Sequence, residues 1–354
     1  MDGFSTLTNT GQARRIRGLA GPVLRAFGLP EPGAGVSLRL IHHWQNTTFV
    51  VEVASERGAY RLTDAWVPGR YLLRVSRPVE RTLAHVSGEM AWLAALREDT
   101  GLVVPEPVLT VAGEPALLFG DGAGWAGVGG ARVWSLMRWV PGRMVGPKSR
   151  RPVHLERLGR AMAEMHRHTT SWRGAARLDR PPWGPSGMLG RDASLGIEPD
   201  VWEDLPADEL ALHTRCEARL LAMWDALGEG PEAYGLLHAD LHLRNVVFAG
   251  GAGGAARPID FDDCGFGHHA YDLACTLLGF EREPWWEAFL QGYRSVRELP
   301  EQTLAAVDVY LAVRMTTLLL WYRSSARTNP VFAKFLEGTR KRFLPEIRRL
   351  LRAG

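Results

Sequence analysis

The stretch 235-GLLHADLHLRNVVFAGGAGGAARPIDFDDCGFG-267 decides how this 354-residue chain is read. Two short apolar runs, Val246 to Phe248 and Arg257 to Ile259, flank a turn of glycine and alanine, Ala249 to Ala256, and together predict a β-hairpin. Asp240 and Asn245 stand just before the first run, and Asp260 and Asp262 just after the second. All four side chains are therefore expected at the ends of elements, where a rigid scaffold presents functional groups.

Outward from this island the chain changes character. On its N-terminal side, residues 10 to 27 predict a short amphipathic helix closed by Gly28-Leu-Pro30. Short β-branched or aromatic runs follow, at Val36 to Ile41, Thr47 to Val53, Ala59 to Leu62 and Tyr71 to Val75. From Arg81 to Arg97 the apolar positions Leu83, Val86, Met90, Leu93 and Leu96 recur at helical spacing. Strand patterns resume at Val108 to Val111, Ala116 to Phe119 and Val133 to Trp139, with a glycine-rich hairpin tip at Gly120 to Gly130. After Val140-Pro-Gly142 the chain reads as mostly helical, with helices at Leu155 to His168 and Asp208 to Leu227. The helical pattern continues from Tyr271 to Arg352, interrupted at Pro284, Pro300 and Pro330. The expected architecture is α+β and bilobal: residues 1–139 form an antiparallel-sheet lobe with one inserted helix, and residues 140–354 a larger helical lobe.

Composition narrows the class. Lys+Arg number 42 against Asp+Glu 39, a net charge of +3 that argues against nucleic acid as a partner. Three cysteines without metal-ligand spacing read as free thiols of a reducing compartment. Met1 to Gly11 is polar, and the apolar run Val307 to Trp321 is interrupted by Asp308 and Arg314. No membrane association and a cytoplasmic location are expected.

The residue types at the island fit phosphoryl transfer. A carboxylate is needed to orient the attacking hydroxyl and accept its proton, and oxygen ligands are needed for magnesium, a hard cation. Asp240 fits the base. Asn245 and Asp260 fit the metal ligands, with Asp262 assisting. Four residues separate Asp240 from Asn245, as in the D-x-x-x-x-N loop of protein kinases. HADLHLRN at 238–245 and IDFDD at 259–263 resemble the H-G-D-L-H-x-x-N loop and the I-D-F-D/E segment of the aminoglycoside phosphotransferase and choline kinase family, which has the protein-kinase-like fold. The sequence is most similar to the bacterial branch with type II homoserine kinases and stress-response Ser/Thr kinases. The resemblance spans about residues 35 to 325.

That resemblance implies ATP and Mg2+, with further residues in the first lobe. Arg74 stands where the family has a phosphate-gripping Lys, and Glu89 is its matching partner. Arg is planar and bidentate, so it is not equivalent to an ammonium. Asn46 and Thr47, in the turn between the first two strands, match the phosphate-covering loop. Met137 and Trp139 lie on the segment that binds adenine. His238 and Asp272 match residues that brace the catalytic loop. His242 either approaches the γ-phosphate or packs the loop.

Two rivals use the same residues. A two-metal hydrolase would recruit His238, Asp240, His242, Asp260, Asp262, Asp263, His268 and His269, but it leaves Asn245 and the hairpin unexplained. A nucleotide-binding pseudokinase rests on Arg74 alone. The acceptor stays open between a hydroxyl of a small metabolite (an amino alcohol, a homoserine-like or an aminoglycoside-like compound) and a protein Ser/Thr. A cationic acceptor would use Trp285, Trp286 and the acidic residues Asp262, Asp263, Glu281 and Glu283. A carboxylate-bearing one would use Arg282, Arg314 or Arg323.

Overall fold

The computed structural model describes residues 4, 7–33, 35–44, 46–54, 61–62, 65–66, 69–76, 81–120, 130–250, 254–327 and 330–352. It divides into two compact units, Met1–Pro141 with Arg177–Asp179, and Gly142–Ala176 with Arg180–Gly354.

The first unit opens with two helices, α1 (Asn9–Gly18) and α2 (Ala20–Ala26), where the sequence predicted one. The break has a local cause: Pro22 has no N–H to give the carbonyl of Gly18, so the ladder cannot run through. Thr8 caps α1, its Oγ1 accepting from the Gly11 N–H at 3.2 Å. The strands are β1 (Val36–His43), β2 (Thr47–Val53), a small β3–β4 pair (Arg61–Leu62 and Ala65–Trp66) and β5 (Gly69–Val75). Helix α3 (Leu83–Asp99) follows, then β6 (Glu106–Val108), β7 (Leu117–Phe119) and β8 (Arg132–Arg138). The main sheet runs β1-β2-β5-β8-β6, with β7 also paired to β8, and every pairing is antiparallel.

The two-residue period of a strand sorts the side chains of this sheet. Phe49, Val51 and Val53 of β2, with Tyr71, Leu73 and Val75 of β5, join Ile16, Val23, Leu24 and Phe27 in one buried cluster. The alternate positions, Leu72 and Arg74, therefore face the other way, and there Arg74 meets Glu89 of α3. The predicted strand Val108 to Val111 starts and ends earlier, because Thr110 and Gly113 form a tight turn closed by Thr110 N–H on Glu114 O at 2.8 Å. Residues 59–60 of one predicted strand and 121–129 of the predicted hairpin tip lie outside the described residues.

The second unit contains α4 (Pro152–Ser171), the one-turn α5 (Pro185–Met188), α6 (Ala207–Leu227), β9 (Tyr234–Leu237), β10 (Val246–Phe248), β11 (Ala256–Pro258) and β12 (Gly265–His268). The last four helices are α7 (His269–Leu277), α8 (Glu287–Arg294), α9 (Glu301–Ala326) and α10 (Pro330–Leu350). Pro300 and Pro330 stand at helix starts, where a missing N–H costs nothing. Helices α4 and α8 cross at Gly159 and Gly292. A Cβ on Gly159 would lie 2.1 Å from Phe289 O, and one on Gly292 would lie 1.7 Å from Glu156 O, so only glycine fits either position.

Among the described residues α9 is the one helix long and apolar enough to cross a membrane, and 72% of its apolar window is buried inside the protein. Its polar residues are spent on neighbours: Thr317 Oγ1 donates to Met188 O at 2.7 Å, and Arg323 pairs with the buried Glu209 of α6 at 3.1 Å. Arg340 of α10 joins the same carboxylate, tying three helices at one point.

Candidate active site

The predicted hairpin forms, with Val246 paired to Pro258 and Phe248 to Ala256. This register sets Asn245 beside Ile259, whose N–H donates to Asn245 O at 2.9 Å. Asn245 and Asp260 are thus brought to the same end of one hairpin. A second pair, β9 with β12, carries the chain into and out of the site.

The loop between β9 and β10 is held in a costly shape. Ala239 in this loop has φ of 63°, the left-handed region, which costs a residue with a Cβ roughly 1–2 kcal/mol; Asp260, after β11, has φ of 67°. Asp272, in the first turn of α7, offsets this with two acceptors. Its Oδ2 takes the His238 N–H at 2.9 Å and its Oδ1 takes the Ala239 N–H at 2.7 Å. From the same helix Cys275 Sγ donates to Ala239 O at 3.2 Å, and Thr276 Oγ1 to Leu241 O at 2.6 Å.

Behind Asp272 lies a buried relay. His166 Nε2 sits 3.2 Å from Asp272 Oδ2, and its Nδ1 sits 2.9 Å from Tyr293 Oη. Burial lowers the His166 pKa, so the ring is neutral; it donates from Nε2 and accepts at Nδ1.

The cluster's other histidines are also committed to the scaffold. His238 Nε2 is 3.0 Å from Ile259 O. His268 holds Tyr310 Oη at 2.5 Å and Gly228 O at 2.7 Å. His269 stacks on His166 at 4.2 Å and has its Nδ1 3.2 Å from Glu232 O. Among the described residues no three His, Cys, Asp or Glu side chains are grouped to hold a metal ion. The two-metal hydrolase reading loses its ligand set.

Asp240 is partly exposed. Its side chain is 25% accessible, and its Oδ2 accepts from Asn245 Nδ2 at 2.9 Å. The same amide nitrogen also donates to Asp240 O at 3.0 Å, so Asn245 presents its oxygen away from Asp240. His242 Nε2 lies 3.7 Å from Asp240 Oδ2; burial lowers its pKa, and the Asp240 charge offsets only part of that. Asp262 gives its backbone carbonyl to Arg180 at 2.6 Å, which fixes the segment after Asp260.

Asp240 has a partner that sequence spacing did not assign to it. Arg314 of α9, 7% exposed, donates through Nη2 to Asp240 Oδ1 and through Nη1 to Tyr271 Oη at 3.1 Å. The signal available in the sequence was a lone arginine inside the apolar run Val307 to Trp321. Its pairing with Asp240 was beyond any spacing rule.

In the first unit Arg74 and Glu89 form a two-point pair, Nη1 to Oε1 at 2.8 Å and Nη2 to Oε2, with both side chains buried. Arg74 makes the strand-to-helix link expected of a Lys. Thr47 Oγ1 is engaged by His43 Nδ1 at 2.7 Å, and Thr48 Oγ1 by His42 Nε2 at 3.1 Å. Asn46 is half-buried and accepts the Trp44 N–H on its backbone oxygen at 3.1 Å. Met137 is buried in β8. Trp139 lies one residue past β8 and is 38% exposed, with the Arg70 guanidinium 5.5 Å from its ring centroid.

The aromatic acceptor pocket expected at Trp285 and Trp286 takes a different form. Arg150 lies 5.7 Å from the Trp285 ring centroid and Arg282 lies 4.5 Å from that of Trp286, so the protein's own cations cover these rings. Arg282 is further paired with Asp308 at 2.7 Å.

Known proteins resolve the family. The model of the phosphotransferase enzyme family matches residues 44–308. A homoserine kinase of Methylobacterium radiotolerans is 29% identical over 269 residues, covering 72% of this chain and 74% of its own. The structure of a microcompartment-associated aminopropanol kinase superposes with a TM-score of 0.71 at 28% identity, over 93% of this chain and 98% of that one. The structure of the amicoumacin kinase hAmiN, in complex with AMP-PNP, Ca2+ and Ami, superposes with a TM-score of 0.70 at 21% identity, over 95% and 96% of the two chains. The chain belongs to the phosphotransferase enzyme family: it is an ATP-dependent kinase of protein-kinase-like fold that phosphorylates a hydroxyl.

Proposed function

We propose that the protein is a cytoplasmic kinase for a short hydroxyl-bearing metabolite of the amino alcohol or hydroxy amino acid class, with Asp240 as the base and Asn245 and Asp260 as magnesium ligands. The observation that carries it is the hairpin end where Asp240, Asn245 and Asp260 are gathered, with Asn245 Nδ2 2.9 Å from Asp240 Oδ2. The homoserine and aminopropanol kinases among the relatives support the acceptor class.

Asp240 accepts a hydrogen bond from the acceptor hydroxyl and takes its proton as the O–P bond forms. The bond between the γ-phosphorus and the bridging oxygen breaks, and ADP departs with the electron pair. The transition state of such transfers is loose, so positioning matters more than base strength. The donor set suits a hard cation. The amide nitrogen of Asn245 is taken by Asp240, leaving Asn245 Oδ1 and the Asp260 carboxylate as oxygen ligands, with Asp262 assisting. Two protein ligands plus phosphate oxygens match the habit of magnesium. When bound, the ion neutralises charge on the phosphate oxygens. Arg74, held by Glu89, stabilises the α- and β-phosphates. The backbone at Asn46 and Thr47 covers the phosphates, and Met137 and Trp139 border the adenine.

The test is an ADP-release screen with ATP and magnesium against homoserine, aminopropanol, ethanolamine, choline, aminoglycosides and a Ser/Thr peptide. Turnover on a small hydroxyl compound that Asp260→Ala abolishes, along with magnesium-dependent nucleotide binding, is expected. Turnover on the peptide alone, or nucleotide affinity unchanged in Asp260→Ala with and without magnesium, would overturn the reading.

A further inference from the structure

We infer that Arg314 is a positioning residue for the reaction: it clamps the catalytic carboxylate of Asp240 from α9. The inference rests on the proposed role of Asp240 and adds a residue to it.

The geometry is specific. Asp240 is gripped at both oxygens, Oδ1 by Arg314 and Oδ2 by Asn245 Nδ2 at 2.9 Å. A carboxylate held at one oxygen can still rotate about its Cβ–Cγ bond; one held at both cannot. Arg314 is itself fixed, because Nη1 donates to Tyr271 Oη at 3.1 Å and its guanidinium lies 5.8 Å from the Tyr271 ring centroid. Tyr271 is fully buried and stacks on Trp183 at 4.9 Å. The chain of support runs from the packed core through Tyr271 and Arg314 to the partly accessible carboxylate of Asp240.

The chemistry of the reaction fits the role. Its loose transition state asks for a hydroxyl held in line, with the proton moving late, so a carboxylate that cannot turn serves it. Each carboxylate oxygen keeps lone-pair capacity beyond its present bond, so the acceptor hydroxyl can approach without displacing Arg314. A displacement of about 1 Å at such a position can cost about 100-fold in rate.

Steady-state kinetics of the full chain test this, with Asp240→Asn as the control for the base. Arg314→Met is expected to lower kcat about 10- to 100-fold while leaving KM for ATP within about two-fold. Arg314→Lys, which keeps the charge but loses the fork, is expected to recover only part of the loss. Tyr271→Phe keeps the ring packed and removes only the hydroxyl. It is expected to lower kcat about 3- to 10-fold with the same unchanged KM for ATP. Because it conserves the core, it keeps the inference testable if Arg314→Met folds poorly. Near wild-type kcat in Arg314→Met or Tyr271→Phe, beside an inactive Asp240→Asn, overturns the clamp and leaves the base intact. So does a loss in either variant that falls on ATP affinity in equal measure. An active Asp240→Asn overturns the base itself.

Discussion

Arg74 with Glu89 in the first unit and Arg314 with Asp240 in the second are arginine–carboxylate pairs at predicted site residues, and the two are built differently. Arg74 and Glu89 meet fork to fork, both oxygens taken by one guanidinium, with side-chain exposures of 3% and 1%. Arg314 and Asp240 meet at one oxygen only, and the carboxylate stays 25% accessible. The closed pair fixes a strand to a helix and offers no free carboxylate edge. The open pair holds a carboxylate still while leaving it an edge for a reactant. The same two residue types thus meet in two ways, and the difference is how many oxygens the arginine takes.

The comparison can be broken by experiment. The largest effect is expected at the open pair: Asp240→Asn should lower kcat by about 10³-fold or more while ATP affinity changes less than about three-fold, as single-turnover kinetics and calorimetric titration would read. The closed pair should behave the other way. Glu89→Ala strands a buried guanidinium and should cost about 3–5 kcal/mol of stability in urea denaturation. Replacing both partners together, Arg74→Met with Glu89→Leu, should cost less than Glu89→Ala alone. A double variant as unstable as the sum of its parts would refute the closed-pair account.

Two smaller effects sharpen the frame around the open pair. Asp272 accepts two backbone N–H groups, and an amide in its place offers one oxygen, so Asp272→Asn should lower kcat about 10-fold through a loosened loop. The other concerns acid stability. Burial lowers the pKa of His213 from 6.5 to about 4. The unfolded chain takes up this proton below pH 6.5 and the folded chain does not until about 4, so stability is full above 6.5 and falls as the pH drops through that window. Between pH 7.5 and 5 the loss from this group is about 2 kcal/mol, and His213→Leu should remove it. Among the described residues neither ring nitrogen has a hydrogen-bond partner, so the substitution should be neutral or stabilising at pH 7.5. Identical acid-denaturation curves for the two proteins would exclude His213 as the source.

What the sequence made legible was mostly what is close in sequence. The hairpin and the pairing of Asn245 with its strand follow from a short glycine-rich turn between apolar runs, so periodicity alone located them. Arg74 and Glu89 were found because a strand and the next helix carry a family pattern. The break between α1 and α2 was missed although Pro22 marks it, because the apolar spacing on both sides stayed helical. The bracing of Ala239 by Asp272 spans 33 residues, and the clamp of Asp240 by Arg314 spans 74. No periodicity reaches that far; only the packing of α7 and α9 decides which polar group meets which loop. The tryptophans at 285 and 286 make a related point: the sequence shows aromatic faces, and tertiary packing sets Arg150 and Arg282 over them.

The distance between Asp240 and Arg314 also has a consequence in time. Ribosomes add about 5–20 residues per second, so the base waits about 4–15 s after its own synthesis for the 74 residues that bring its clamp. A nascent chain can close the hairpin and seat Asp272 well before α9 exists. From the addition of Asp262 to the end of that interval it carries the complete set of proposed magnesium ligands and an unclamped base. Competence for transfer is therefore a late event in the life of each molecule, reached when the helix that contacts α6, α7 and α10 has docked.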